Sequence, residues 1–232
     1  VHIAQADLFF LRGNTMSEQL KVSTGQCSDK GVKAINQDFH AVHTPTLPLL
    51  ESKGVAMALA DGISSSNVSQ DASATAVQSF LSDYFSTSEA WSVKTSGLRV
   101  LEATNSWLHA QARRNLRSYD PNKGYVCTFN GLVIKSRTAH IFHVGDSRVY
   151  RVTGDQLEQL TTDHRFYTSE DQSYLTRALG MDTQLEIDYL SVSVNVGDIF
   201  ISATDGIYEF VNDELVISTI RQYSSDLDRA AR

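Results

Sequence analysis

Three apolar runs in this chain end on an aspartate. Val55-Ala56-Met57-Ala58-Leu59-Ala60 leads into Asp61-Gly62, Ile199 to Thr204 leads into Asp205-Gly206, and Ile141-Phe142-His143-Val144 leads through Gly145 into Asp146. A further acid, Asp38, follows Asn36-Gln37 just before the run that starts at Phe39. An isolated Asp-Gly is most often a hairpin turn. Here Asp61-Gly62 is followed by Ile63-Ser64-Ser65-Ser66 and then a helical pattern, and Asp205-Gly206 also runs into one, so neither has the second strand a hairpin needs. The acids therefore sit where strands give way to loops and helices. Carboxylates that share a site repel one another unless a cation neutralises them. Their oxygens are hard ligands suited to Mg²⁺ or Mn²⁺. A glycine directly after the acid lets its carbonyl approach an ion or water with no Cβ in the way. Residue chemistry alone thus implies a hard-cation site on Asp61 and Asp205, with Asp146 and Asp38 as further candidates.

The elements that must position these acids follow from periodicity. Residues 68–85 place Ala72, Ala76, Val77, Phe80, Leu81 and Tyr84 on one helical face. Residues 97–116 place Leu98, Leu101, Trp107, Leu108 and Ala112 on another, with Arg113, Arg114 and Arg117 near the C-terminal end, where the helix dipole favours cations. A third helix is expected from about Ile207, carrying Phe210, Val211, Leu215, Val216 and Ile220. Strands are expected at 21–25, 39–43, 55–60, 131–135, 139–144, 147–152, 156–160, 185–194 and 198–203. Ser136-Arg137-Thr138 and Thr153-Gly154-Asp155 are hairpin-sized connections, so the strands they join are antiparallel. Meanders with long helices interposed imply an α+β layered domain rather than a doubly wound parallel sheet.

Composition narrows the function classes. In 232 residues, 20 Lys and Arg stand against 27 Asp and Glu, a net charge of -7. This argues against a nonspecific nucleic-acid binder and against a polybasic membrane anchor. The two cysteines, Cys27 and Cys127, form no CxxC pair, which argues against a thiolate zinc site and a disulfide framework. No apolar run approaches the roughly 18 residues of a membrane helix. Leu8-Phe9-Phe10-Leu11 is too short for a secretory signal and follows Asp7. A cytoplasmic location is expected. Residues 1–15 are read as a leader or vector-derived segment ahead of Met16, and residues 16–232 as one catalytic domain.

In order along the chain, Gly31-Val32-Lys33-Ala34-Ile35-Asn36-Gln37-Asp38, Ala60-Asp61-Gly62, Cys127-Thr128, Val144-Gly145-Asp146-Ser147-Arg148-Val149-Tyr150, Leu160-Thr161-Thr162-Asp163-His164, Arg177-Ala178-Leu179-Gly180 and Thr204-Asp205-Gly206 resemble the metal-dependent protein phosphatase 2C family, bacterial members most closely. The resemblance runs from about Gly25 to Glu209. It implies a four-layer αββα sandwich, two antiparallel sheets flanked by helix pairs, and hydrolysis of phosphoserine and phosphothreonine in signalling proteins. It further implies Mn²⁺ or Mg²⁺ as cofactor, two ions with a weaker third. Asp61 would bridge two ions, the Gly62 carbonyl would hold one, and Asp205 would complete the first. Asp38 would orient metal-bound water, and Asp146 with Glu209 would form the third site. A hydroxide bridging the ions would attack phosphorus in line. The implied partner is a phosphorylated protein, with a protein kinase on the same or another chain as a further candidate.

Departures from the family pattern sharpen these expectations. Lys33 stands where many members carry a phosphate-gripping arginine, and an ammonium lacks the bidentate fork. Gln37 replaces a glutamate, which would remove the charge of an outer, water-mediated ligand. Ile63 stands where some members have a histidine, and Ser64-Ser65 replaces two glycines. The flap is shortened to about residues 165–176, and the late Asp-Asn pair of the family is not found before Arg232, so the domain is expected to lack its C-terminal strand. These departures support a second reading, a catalytically weak or silent module that binds a phosphoprotein or regulates a partner such as a kinase. Outside the acids, His143 reads as a core residue, His164 as a loop brace, Arg148 as a partner for nearby carboxylates, Cys127 as strand packing, and Trp91 and Trp107 as packing aromatics.

Overall fold

The computed structural model describes residues 6–11, 21–115, 124–169 and 172–232. Its elements are β1 (Ala6–Leu11), β2 (Val22–Cys27), β3 (Asp38–His43), α1 (Leu49–Lys53), β4 (Val55–Asp61), α2 (Ser69–Ser86), α3 (Val93–Asn115), β5 (Phe129–Lys135), β6 (Thr138–Val144), β7 (Arg148–Thr153), β8 (Gln156–Gln159), β9 (Arg165–Ser169), β10 (Gln172–Leu175), β11 (Asp188–Ser193), β12 (Ile199–Ala203), α4 (Asp205–Tyr208), α5 (Asp213–Gln222) and α6 (Leu227–Ala231). The first five-stranded sheet has the order β11-β6-β5-β4-β3 and the second β2-β1-β12-β7-β8. Every neighbouring pair in both is antiparallel. β9 and β10 form a separate antiparallel hairpin.

Period-two alternation sorts the apolar strand residues between interiors. Along β4, Ala56, Ala58 and Ala60 face the helices, whereas Val55 and Met57 face the other sheet. The middle layer between the sheets is filled by Val55, Met57, Leu132, Ile134, Ile141 and Phe200. Beyond the second sheet, Ile199 and Ile201 of β12 pack with Ile220 of α5 and Leu227 of α6. α2 and α3 cover the first sheet and α5 and α6 the second, giving the expected four-layer αββα sandwich. Small alanines on the helix face of β4 let α2 approach, and its apolar stripe, Ala72, Ala76, Val77, Phe80 and Tyr84, is fully buried there. Gly97 serves the same purpose in α3, because a Cβ there would lie 2.3 Å from Cζ of Phe142. The helix-propensity loss of about 1 kcal/mol for glycine is thus set against ring-to-backbone packing.

Four sequence expectations are revised. The helix expected from Ile207 is two: the single turn α4, then α5, which Asn212 caps by accepting a hydrogen bond from the Leu215 N–H at 2.9 Å. α3 starts four residues before Gly97, where the Ser92 hydroxyl accepts from the Thr95 N–H at 3.0 Å. Trp91 and Trp107 are each 47% exposed rather than packed in the core. Residues 6–11, set aside above as part of a leader, form β1 between β2 and β12. Met16 and Arg117 lie outside the described residues. Among the described residues no helix is long and apolar enough to cross a membrane.

Phe80 is the hub of the helix-to-sheet layer. Its ring lies 5.1 Å from that of Phe129, and 5.8 Å from those of Phe142 and Tyr84. Phe80→Ala is expected to lower the unfolding free energy by about 3–5 kcal/mol, read from urea denaturation. A loss below 1 kcal/mol would show that this layer does not hold the helices on the sheet.

Candidate functional site

The register of β3 on β4 sets Asp38 directly opposite Asp61 at one end of the first sheet. Thr128 fixes the Asp61 backbone from both sides. Its hydroxyl accepts from the Asp61 N–H at 3.0 Å, and its own N–H donates to the Asp61 carbonyl at 2.8 Å. The same hydroxyl lies 2.7 Å from Ser147 Oγ, which ties this strand end to the loop carrying Asp146. The Thr204 hydroxyl, one residue before Asp205, donates to Asp38 at 3.3 Å. The Asp38 and Asp61 carboxyls thus belong to register partners and act on each other's ionisation. Burial pushes Asp61 well above the usual carboxylate range, and the charges of Asp38 and Asp205 push it further. Burial also raises Asp38, while Lys33 opposes the shift in both. The pair therefore takes up a proton more readily than two free aspartates would.

Gly62 and Gln37 shape the loop beyond Asp61. A Cβ on Gly62 would lie 2.6 Å from the Ser69 carbonyl oxygen, so only glycine lets β4 end against the first turn of α2. The Gly62 N–H donates to the Gln37 carbonyl at 3.0 Å. The Gln37 side-chain amide donates to the carbonyls of Ile63 at 3.2 Å and Ser66 at 2.9 Å, and lies 2.6 Å from Ser69 Oγ. Gln37 thus braces the loop with its NH₂ group instead of facing the acids. A glutamate could not donate these bonds.

Asp146, Asp205 and Glu209 form a second set around a residue that the sequence reading passed over, Arg165. Its Nε donates to Asp146 Oδ2 at 2.6 Å, Nη2 to Asp205 Oδ2 at 3.1 Å and Nη1 to Glu209 Oε1 at 3.2 Å. Burial raises the Asp146 carboxyl to about 6 against the pull of Arg165. His164 places this arginine. Its N–H donates to the Gly145 carbonyl at 2.7 Å, and the Gly145 N–H donates to its Nδ1 at 3.1 Å. Its Nε2 lies 3.0 Å from Asp188. The loop before Asp146 is thereby clamped to the residue before Arg165. Tyr208 donates to the Asp146 carbonyl at 2.9 Å, and the Arg148 guanidinium lies 3.7 Å from the Tyr208 ring while it pairs with Asp163. The only sequence signal for Arg165 was a strong base immediately after Asp163-His164.

The expected acids thus lie at one end of the sandwich in two arrangements, Asp38 with Asp61 and the three others on Arg165, with the charge of Asp205 acting on both Asp61 and Asp146. Among the described residues no three or more His, Cys, Asp or Glu side chains converge as a ready-made metal cage. The donor chemistry fits a hard divalent ion at Asp38 and Asp61, two facing carboxylates that, among the described residues, have the charge of Lys33 acting on them but no hydrogen-bonded cation such as Arg165. It does not fit one at Asp146 and Glu209, where the guanidinium stands. Cys127 is fully buried and burial pushes its thiol well up, which makes it packing and not a nucleophile. His143 is buried, with its ring nitrogens 2.7 Å from Asn130 Oδ1 and 3.0 Å from the Thr162 carbonyl.

Residues 28–231 match the protein phosphatase 2C family. The chain is 25% identical over 166 residues to the serine/threonine phosphatase stp of Listeria innocua, a match covering 61% of this chain and 66% of that one. It is 24% identical over 127 residues to the protein phosphatase PhpP of Streptococcus pneumoniae, covering 48% of this chain and 50% of that one. The match therefore spans just under two thirds of the first relative and half of the second. Among solved structures, the catalytic domain of PstP in complex with two manganese ions superposes with a TM-score of 0.69 at 21% identity, covering 97% of this chain and 89% of that one. Stp1 from Staphylococcus aureus superposes with 0.71 at 18%, covering 97% and 85%. These likenesses show a shared fold.

The raised carboxyl pair and the amide brace yield two tests. A carboxyl whose folded pKa is raised binds protons more tightly when folded, so its contribution to stability falls as pH rises above the unfolded value. In EDTA, Asp61→Asn should be more stable than the parent at pH 7, with the gap closing towards pH 4 in urea titrations. A gap that is absent or independent of pH would contradict the pairing. Gln37→Glu should cost about 1–3 kcal/mol at pH 7, because a carboxylate would face the Ile63 and Ser66 carbonyls to which the amide now donates. No change in the urea midpoint would show that the brace carries no stability.

Proposed function

The chain belongs to the protein phosphatase 2C family, and from that premise we propose that it hydrolyses phosphoserine and phosphothreonine in proteins with Mn²⁺ or Mg²⁺ bound at Asp61. The facing Asp38–Asp61 pair carries this reading, since two partly buried carboxyls whose charges oppose each other are a place where a divalent cation relieves repulsion. Asp61, the Gly62 carbonyl and Asp205 would hold the metal. When bound, the metal lowers the pKa of a water and stabilises charge on the transferring phosphoryl oxygens.

The chain's own groups do the positioning. Thr128 holds the Asp61 backbone rigid, so its carboxylate cannot retreat when a cation or phosphate arrives. Asp38, steadied by Thr204, faces Asp61 and can accept a proton from the attacking water. Asp205 keeps Oδ1 free of the Arg165 contact, which engages only Oδ2. Lys33, whose charge already reaches Asp38 and Asp61, supplies the positive point charge for the substrate phosphate. A phosphorylated protein in the cytoplasm is the substrate class this implies. One observation favours the second reading, a phosphoprotein-binding module with little turnover: Arg165 already engages three of the acids.

Release of phosphate from a phosphothreonine peptide, followed against Mn²⁺ concentration, separates the two. The expected result is metal-dependent turnover that falls at least about 100-fold in Asp61→Asn, while Lys33→Ala mainly raises KM. Equal activity in the parent and Asp61→Asn would refute the assignment. Peptide binding without turnover would establish the module.

A further inference from the structure

The strongest unassigned feature is a cation that the chain supplies to itself. Arg165 reaches Asp146, Asp205 and Glu209 through three different nitrogens. Its side chain is 16% exposed and that of Asp146 is 6% exposed. A guanidinium is planar, permanently charged and carries its donors in a fixed fork, so it can satisfy several carboxylates at once. Hydrogen bonds of this charge-assisted kind are short and strong. The base of the arginine is equally fixed. His164, immediately before it, is bonded to Gly145 through both backbone and ring, and its carbonyl accepts from the Thr176 N–H at 2.8 Å. The guanidinium is therefore held against the acids by the fold and is not a surface side chain that happens to lie near them.

We propose that Arg165 permanently replaces a divalent cation at Asp146 and Glu209, so that this chain holds one ion fewer than its acids would otherwise bind, with Asp205 shared between the arginine and the metal at Asp61. This rests on the functional reading above for the Asp61 site. Arg165 is a positioning residue here. It neutralises the second set of acids without exchanging with solvent ions, and it orients Asp205 through Oδ2. Because Arg165 opens β9, the same contact fastens the β9–β10 hairpin, the shortened flap, to the metal-binding end of the sandwich. An exchangeable ion would make that attachment depend on metal concentration, whereas an arginine makes it constitutive.

The test counts metal and does not rely on turnover. Native mass spectrometry and calorimetric titration of the whole chain with Mn²⁺ should show one more ion per chain in Arg165→Gln than in the parent. Asp146→Asn added to Arg165→Gln should remove that extra ion. In the parent background, Asp146→Asn alone should leave the count unchanged, a measurement that stands even where Arg165→Gln folds poorly. Equal counts in the parent and Arg165→Gln, or an ion lost from the parent on Asp146→Asn, would overturn the role of Arg165 and leave the Asp61 site intact. No Mn²⁺ bound by any variant would overturn the Asp61 reading and this inference with it.

Discussion

Repulsion among five acids at one end of a two-sheet sandwich is the constraint on which the rest depends. Asp38, Asp61, Asp146, Asp205 and Glu209 cannot all be ionised at close quarters without positive charge among them. The chain meets this in two ways. At Asp38 and Asp61 the facing carboxyls are both pushed towards their protonated forms. At the other three acids, a guanidinium is built in. The first solution is reversible and open to a metal ion. The second is a fixed part of the covalent chain. That difference divides the site proposed to take a metal ion from the one that serves as scaffold.

Strained electrostatics of this kind persist only where the frame cannot relax. Here the frame is the fully buried β4 and β5 layer, whose alternating small and large residues lock α2 against one face and the second sheet against the other. Thr128 transmits that rigidity to Asp61 through two hydrogen bonds to its backbone, one from the Thr128 N–H and one accepted by the Thr128 hydroxyl. His164 transmits it to Arg165 through its bonds to Gly145. Gln37 and Gly62 keep the loop after Asp61 pressed on the start of α2. Each side chain at the acids is thus held by a partner whose own place is set by packing.

The acids themselves were legible because apolar strands delivering aspartates into non-hairpin contexts is a local pattern, and α2 was legible because its buried stripe keeps helical spacing from Ala72 to Tyr84. The two-sheet architecture followed from hairpin-length connections together with the family resemblance. What escaped has local causes as well. The break between α4 and α5 depends on the Asn212 cap, which competes with an uninterrupted apolar periodicity. Trp107 falls on the stripe by spacing yet points to an exposed edge beside Tyr125. Gln37 looked like a weakened acid, because its role depends on donors reaching three loop oxygens that are distant in sequence. Arg165 carried no signal beyond its type, since its partners lie 19, 40 and 44 residues away. β1 was discounted because a short apolar stretch near one end of the chain shows nothing of the two strands between which it lies.

Crystals of the whole chain grown in saturating Mn²⁺, with anomalous scattering recorded at the manganese edge, test the division of labour most directly. The arrangement predicts an anomalous peak between Asp38 and Asp61, within reach of Asp205, and none among Asp146, Glu209 and the intact Arg165 contact. A peak at Asp146 and Glu209 with Arg165 turned away, or no peak beside Asp61, would contradict it.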